Sequence, residues 1–394
     1  MRIAGVDPER DFGGGEVQVM GLTLELMRAG HEAELLCDPR GQLWHRAQQA
    51  GIACRPLAIR NSLDVTAGLR LRAILNRQRY DVVHFHTARA HAMAPYAGRR
   101  TGALVVTRRM DYPPNRLFAP WLYNRAVDCI VAISEAVAQE LVRARVNRHR
   151  IEVIPSGVDC TRFAPPSAAV RQGARERLGL MPDEVAIGAI GALVPRKGHR
   201  VLIDAMTLVG RDGAQQAASG RLRCLIAGAG QLHQELARHI AQNDLTGRVT
   251  LLGPLEEPIT LLNAVDIFVM PSLNEGFGVA ALEAATAGLP VIASAVGGLL
   301  EVVEHGRTGL LVKPGQPALL AKAIQQLASD SASRVSMGSE SRKRAVQNWP
   351  MQLAARRTLM LYQACLGKRH KVASITLLDK STATPRVKVT KPSS

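Results

Sequence analysis

A chain of 394 residues is longer than one hydrophobic core usually organises, so two domains are the expectation. Hydrophobic residues at 47% and charged residues at 21% are ordinary globular proportions, which excludes a disordered or collagen-like chain. The net charge of +17 is the unusual total, and it is uneven: residues 1–165 carry +7, residues 166–347 only +2 and residues 348–394 +8.

The chain opens with a short apolar run, Ile3 to Val6, that reads as a strand. A loop with Gly13-Gly14-Gly15 follows, then a helical pattern with Val17, Met20, Leu24 and Met27 on one face, stopped by Ala29-Gly30. Strands are predicted at 32–37, 52–59, 82–85, 104–107, 129–133 and 151–154, separated by helical stretches. Ser134 is placed to cap a helix over 135–144. Strict alternation of strand and helix implies parallel strands with right-handed crossovers, an α/β doubly wound sheet.

Phe163, Pro165 and Pro166 mark a linker over 159–167, after which the rhythm restarts. Strands are predicted at 185–192, 222–227, 249–252, 267–270, 291–293 and 310–312, with helices at 198–209 and 232–242 among those between them. Two Rossmann-like domains, 1–165 and 166–347, account for this pattern. From Ala318 the sequence reads as helical, and 367–394 reads as a flexible basic tail. Ile375 to Leu378 is an apolar island in that tail that can dock as an extra strand.

The longest uninterrupted apolar stretch, 185–194, falls short of the roughly 20 residues that span a bilayer. Asp7, Glu9, Arg10 and Asp11 leave no signal-peptide core at the amino terminus. The cysteines Cys37, Cys54, Cys129, Cys160, Cys224 and Cys365 include no C-x-x-C pair and sit mostly in apolar runs. They read as buried, reduced thiols of a cytoplasmic protein, with no zinc site or disulfide scaffold.

Three loops can carry chemistry. Gly13-Gly14-Gly15-Glu16 lies between the first strand and the first helix, where backbone amides can approach an anion. Its spacing is not G-x-G-x-x-G, which argues against a dinucleotide. Arg196 and Lys197, after the strand at 185–192, suit a diphosphate, the first as a fork and the second as a point charge. In Pro271-Ser-Leu-Asn-Glu-Gly-Phe-Gly278 the glycines bring amides to a helix start. Glu275 precedes that helix, and Glu283 lies inside it among apolar residues, where ribose hydroxyls are fitting partners.

Glu275 and Glu283, spaced E-x7-E within NEGFGVAALEAATAGLPVIAS, resemble the signature of the retaining family 4 glycosyltransferases, which have the GT-B fold. Phe12-Gly-Gly-Gly-Glu16 resembles that family's glycine loop, Ile154-Pro-Ser-Gly-Val-Asp159 its domain junction and Val194-Pro-Arg-Lys-Gly198 its phosphate loop. EVVEHGRTGLLV, starting at Glu301, resembles its late strand-turn. The motifs follow family order over roughly residues 1 to 366.

The resemblance implies two domains facing a central cleft, with a helix over 349–366 returning to the first. The first domain would hold the acceptor and the second a nucleotide-sugar donor. Glu275 would contact the donor sugar and Glu283 the nucleotide ribose. Amides around Gly276, Phe277, Gly278 and Val279 would hold the donor phosphates with Lys197 and Arg196, and Gly14 and Gly15 would approach from the first domain. Two departures stand out. The family's Gly-Arg pair is Gly191-Ala192 here, so Arg196 has to substitute. Where many relatives place a histidine near the reacting sugar this chain has Arg108-Arg109, leaving His84, His86 and His91 as candidates, His86 the best placed.

Glu275, His86, Lys197 and Arg196 are thus the catalytic candidates, and Glu16, Arg108 and Arg109 the acceptor-side candidates. No D-x-D occurs, so no metal or other cofactor is expected, and leaving-group charge falls to cations and amides. Retention follows from the resemblance alone. An inverting GT-B transferase or a sugar-nucleotide epimerase is the alternative reading. Nucleic-acid binding is the remote one, disfavoured by 4% aromatic residues. Tyr112, Phe118, Trp121 and Tyr123, with Arg108, Arg109, Arg116 and Arg125, and a second stretch with Arg70, Arg72, Arg77 and Arg79, fit peripheral docking on the anionic inner face of a membrane. There the acceptor would be an envelope glycan or glycolipid such as lipopolysaccharide. A core position for Phe118, Trp121 and Leu122 is the alternative.

Overall fold

The computed structural model describes residues 1–98, 102–110, 114–209 and 222–381, with side chains described through residue 367; Tyr112 and the segment 382–394 of the expected tail lie outside the described residues. Two parallel sheets form. The first has seven strands, β1 (Arg2–Asp7), β2 (Glu32–Cys37), β3 (Ala53–Pro56), β4 (Val82–Phe85), β5 (Ala103–Arg108), β6 (Cys129–Ala132) and β7 (Ile151–Val153), in the order 3-2-1-4-5-6-7. The second has six, β8 (Val185–Ile190), β9 (Leu222–Ala227), β10 (Val249–Gly253), β11 (Ile267–Met270), β12 (Val291–Ser294) and β13 (Gly309–Val312), in the order 10-9-8-11-12-13.

Both faces of each sheet are covered, which is why the strands are almost wholly apolar. Val83, Phe85, Val106 and Ile130 pack on one face of the first sheet. Ile3, Val82, Val105 and Val131 pack on the other, against Leu26 of the first helix (Gly14–Arg28) and Tyr362 and Cys365 of the last helix (Met351–Ser381). The first helix packs on the sheet beside that last helix, and it buries Val19, Thr23 and Leu26. The apolar stripe read from sequence is only its half-buried flank: Met20, Leu24 and Met27 pack partly buried against Leu35 and Leu43.

The junction motif is clamped from both sides. Gly157 exchanges hydrogen bonds with the Gln18 side chain at 2.7 and 2.9 Å, and Val158 bonds the main chain of Trp349 and Met351 at 2.9 Å. The last helix therefore returns to the first domain. It runs on to Ser381, through Ile375–Leu378, so the structure has helix where the sequence suggests a tail from 367 and an extra strand.

A second correction concerns the thiols. Cys129, at the start of β6, is joined to Cys365 by a disulfide with a Cα–Cα distance of 6.8 Å, so these two are not reduced thiols. The returning helix brings together cysteines 236 residues apart, a pairing that sequence spacing cannot reveal. Cys37, Cys54, Cys160 and Cys224 are free.

Candidate functional site

Each strand order reverses once, between β1 and β4 and between β8 and β11. Ligands of doubly wound sheets lie outside the carboxyl ends of the strands at such a reversal. The loops leaving β8 and β11 are the two that carry the predicted donor residues.

These loops are tied together. The amides of Leu273 and Asn274 donate to the Arg196 carbonyl at 2.7 and 3.4 Å. Lys197 Nζ donates to Glu275 Oε2 at 2.5 Å, and Ser272 Oγ donates to the same oxygen at 3.2 Å. Gly198 makes the approach possible: its φ is +67°, and a Cβ there would stand 2.0 Å from the Pro271 carbonyl oxygen. Lys197 and Glu275 are largely buried, at 14% and 11% side-chain exposure, so the pair is shielded from solvent screening. Arg196 is exposed and makes no ion pair among the described residues.

Just past this pair the helix Val279–Thr286 begins at Gly278. Among the described residues nothing accepts from the amides of Phe277, Gly278 or Val279, which leaves donors at a helix start for an anion. Glu283 lies in this helix with 7% exposure, and its carboxyl makes no hydrogen bond or ion pair among the described residues. Burial raises its pKa to about 7, with Arg162 opposing.

That value sets a pH dependence. As a ribose contact, an ionised Glu283 would accept from two hydroxyls, whereas its protonated form would keep less acceptor capacity. Donor affinity is expected to fall as pH drops below about 7, by up to about tenfold per unit, and Glu283→Gln should flatten the profile. Without ligand the sign is opposite: this raised carboxyl costs stability as pH climbs from its ordinary range through about 7. Calorimetric titration at several pH values checks the first statement; a flat wild-type profile would contradict the ribose role.

The first sheet presents its own strand ends across the cleft. The Gly13 amide donates to the Glu16 carboxylate at 2.8 Å, so Glu16 closes the glycine loop as a helix cap. A Cβ at Gly14 would stand 3.5 Å from Val279 Cβ, so the starts of helices Gly14–Arg28 and Val279–Thr286 meet. A Cβ at Gly276 would fall 2.3 Å from the Arg109 carbonyl oxygen, so only glycine lets the donor loop touch the end of β5. Arg108 is buried inside β5, and Arg109, half-buried, passes beneath Gly15 with its charge facing Asp7 and Glu16.

His86 follows β4 and is buried; its Nδ1 has no partner among the described residues, and burial, then His84 and Arg109, hold it neutral. His84 is a core residue, yet it bonds the Tyr362 hydroxyl and Thr107 Oγ1, both at 2.6 Å, rather than the backbone. His91 is likewise spent on Tyr123 and the Thr107 carbonyl.

The sequence reading missed Asp7. It ends β1 at 1% exposure, its Oδ1 accepts the Glu9 amide at 3.0 Å and its Oδ2 has no partner among the described residues. Burial, then Glu16, raises its pKa to about 7, against the attraction of Arg109. The signal was an acid directly after an apolar strand, at a switch point that only the strand order defines.

Residues 12–162 match the Glycosyltransferase Family 4 family and residues 170–344 match Glycosyl transferases group 1. The D-inositol 3-phosphate glycosyltransferase of Kribbella flavida is 31% identical over 326 residues, covering 75% of this chain and 74% of that protein. The Pseudarthrobacter chlorophenolicus enzyme of the same name is 36% identical over 244 residues, but the match covers 61% of this chain and 56% of that protein. Among solved structures, Anabaena HepE in complex with UDP and glucose superposes with a TM-score of 0.82 at 23% identity, covering 92% of this chain and 99% of that one, which shows a common GT-B fold. Sequence and architecture agree, and the chain belongs to the family 4 glycosyltransferases.

Proposed function

We propose that the protein moves a sugar from a nucleotide-sugar donor to a cell-envelope glycan or glycolipid, with retention of anomeric configuration and without a metal. The observation that carries the donor reading is the buried Lys197–Glu275 pair beside the unengaged amides of residues 277–279. Lys197, Arg196 and these amides offset the charge that grows on the departing diphosphate. Glu275 contacts the donor sugar, Glu283 the ribose, and Gly14 and Gly15 approach from the facing sheet. Neutral His86 bonds a sugar hydroxyl; Arg109, with Arg108 and Glu16 behind it, lines the acceptor side. The acceptor oxygen bonds the anomeric carbon on the face the diphosphate leaves, and its proton passes to the departing phosphate oxygen.

A thermal-shift panel of nucleotide sugars, followed by transfer assays with EDTA, tests this reading. One donor should raise the melting temperature, because a ligand bound by the native state alone stabilises it. Transfer should survive EDTA. A panel with no shift would sink the donor assignment, and activity lost to EDTA and restored by magnesium would sink the metal-free one.

The setting proposed for this reaction is the cytoplasmic, anionic face of a membrane. Among the described residues no helix is long and apolar enough to cross a bilayer. Leu117, Phe118 and Trp121 are exposed beside exposed Arg116 and Arg125, whereas Tyr123 is buried and so is no anchor. Leu63, Val65 and Leu69 are exposed on and before helix Val65–Gln78, which also exposes Arg70, Arg72 and Arg77. Tyr96 packs over Gly68, joining that helix to the segment before β5. Such a basic, apolar-tipped surface suits shallow insertion. Flotation with anionic vesicles should show binding at low salt, weakened roughly tenfold in a Phe118→Ser, Trp121→Ser double variant. No binding at low salt removes the membrane setting and leaves the transferase reading standing.

A further inference from the structure

The short helix Leu299–Val302 is fixed to the loop that carries Glu275. The Gly298 amide donates to the Glu275 carbonyl at 3.2 Å, and a Cβ on Gly298 would stand 2.5 Å from the Gly276 carbonyl oxygen. Glu301, on the same helix, reaches the other way. Its Oε1 accepts from the Glu135 amide at 2.8 Å, the first N–H of helix Glu135–Arg143 on the opposite sheet. Ser134, the N-cap of that helix, satisfies the Val137 amide, so the two residues divide the orphan donors between them. On its own side Glu301 is anchored, because Arg344 donates to its carbonyl at 3.0 Å.

A carboxylate from the donor half thus completes the helix cap of a helix in the other half. The helix start attracts negative charge, against burial and the neighbouring Glu135 carboxylate, which together raise the Glu301 pKa, and the contact exists only while the halves are close. The hydrogen bond from Gly298 then transmits the position of this helix to Glu275. We infer that Glu301 is a positioning residue, a cleft latch that couples closure of the two halves to placement of the Glu275 loop. The latch itself depends on the contacts above; its catalytic consequence rests on the proposed transferase reading.

Small-angle scattering on the full chain without ligand tests it, alongside calorimetric binding of UDP as the probe. Glu301→Ala should enlarge the radius of gyration and weaken UDP binding, because the loop that the latch positions carries the amides proposed for the diphosphate. Glu301→Gln keeps an acceptor oxygen and should fall nearer the wild type. Glu135→Pro removes one of the two amides that face Glu301, leaving that of Ala136, at a first helical position that tolerates proline, and should open the cleft in the same direction by less. Combined with Glu301→Ala it should add nothing, because both changes break one contact. Scattering from Glu301→Ala and Glu135→Pro identical to wild type would overturn the latch. Failure of the wild type to bind UDP would count against the transferase reading alone, since the scattering comparison is made without ligand.

Discussion

Glu275→Ala is expected to lower kcat by at least about a hundredfold while the protein stays folded, the range seen when one preorganised group at a developing charge is removed. The fold should survive because Glu275 stands on a loop beyond β11 and is not among the buried apolar residues that pack the sheets against their helices. The chemistry should not, because its carboxylate does two things at once. In the proposed reaction it contacts the donor sugar, and through the 2.5 Å bond it holds the Lys197 ammonium in place. Glu275→Gln separates these roles: the amide oxygen still accepts from Lys197, so ammonium placement persists while the negative charge is lost. Lys197→Ala should also damage turnover more than stability. The double variant should cost less than the two single changes together, because the partners share one interaction. Steady-state kinetics beside thermal melts read all of these. Activity of Glu275→Ala within about threefold of wild type would remove Glu275 from the reaction, far below the loss expected for such a group.

Much of this site was legible because its residues are contiguous in sequence. The loop holding Arg196 and Lys197 and the stretch from Glu275 to Glu283 each follow a strand, and a strand buried on both faces reads as an uninterrupted apolar run. β9 and β11 were accordingly read at their observed ends, 222–227 and 267–270. The reading at 52–59 is longer than β3 because Leu57 and Ile59 are buried beyond the last paired residue, and apolar pattern reports burial rather than pairing. What stayed hidden depends on contacts across the chain. Asp7 gains its unusual proton affinity from burial and from Glu16, neither visible in a linear acid pattern. Glu301 opens the motif EVVEHGRTGLLV, yet its partner amide is 166 positions away. The Cys129–Cys365 disulfide, where the sequence suggests reduced thiols, is hidden for the same reason, since only the returning helix makes those cysteines neighbours.

That helix is the subject of the second large expected effect. Ending the chain at about residue 345 should give insoluble or inactive protein, whereas ending it at residue 369 should not. Tyr362 is fully buried, and its hydroxyl bonds His84 Nδ1 at 2.6 Å, so its loss strips a face of the first sheet and leaves a buried histidine nitrogen without its partner. The same deletion exposes Ile3, Val82, Val105 and Val131, removes the disulfide partner of Cys129 and frees the junction at Val158, which bonds Trp349 and Met351. Each large apolar side chain returned to water costs on the order of 1.5–3 kcal/mol. Several such losses together rival the roughly 5–15 kcal/mol that holds a typical domain folded. Ending at residue 369 keeps Met351, Tyr362 and Cys365, so the described contacts of the helix with the first sheet survive although the helix continues to Ser381. Solubility and circular dichroism of the two truncated chains decide the matter. If the chain ending near residue 345 is as soluble and as cooperative in melting as the one ending at residue 369, the returning helix is an accessory to the first sheet and not part of its core.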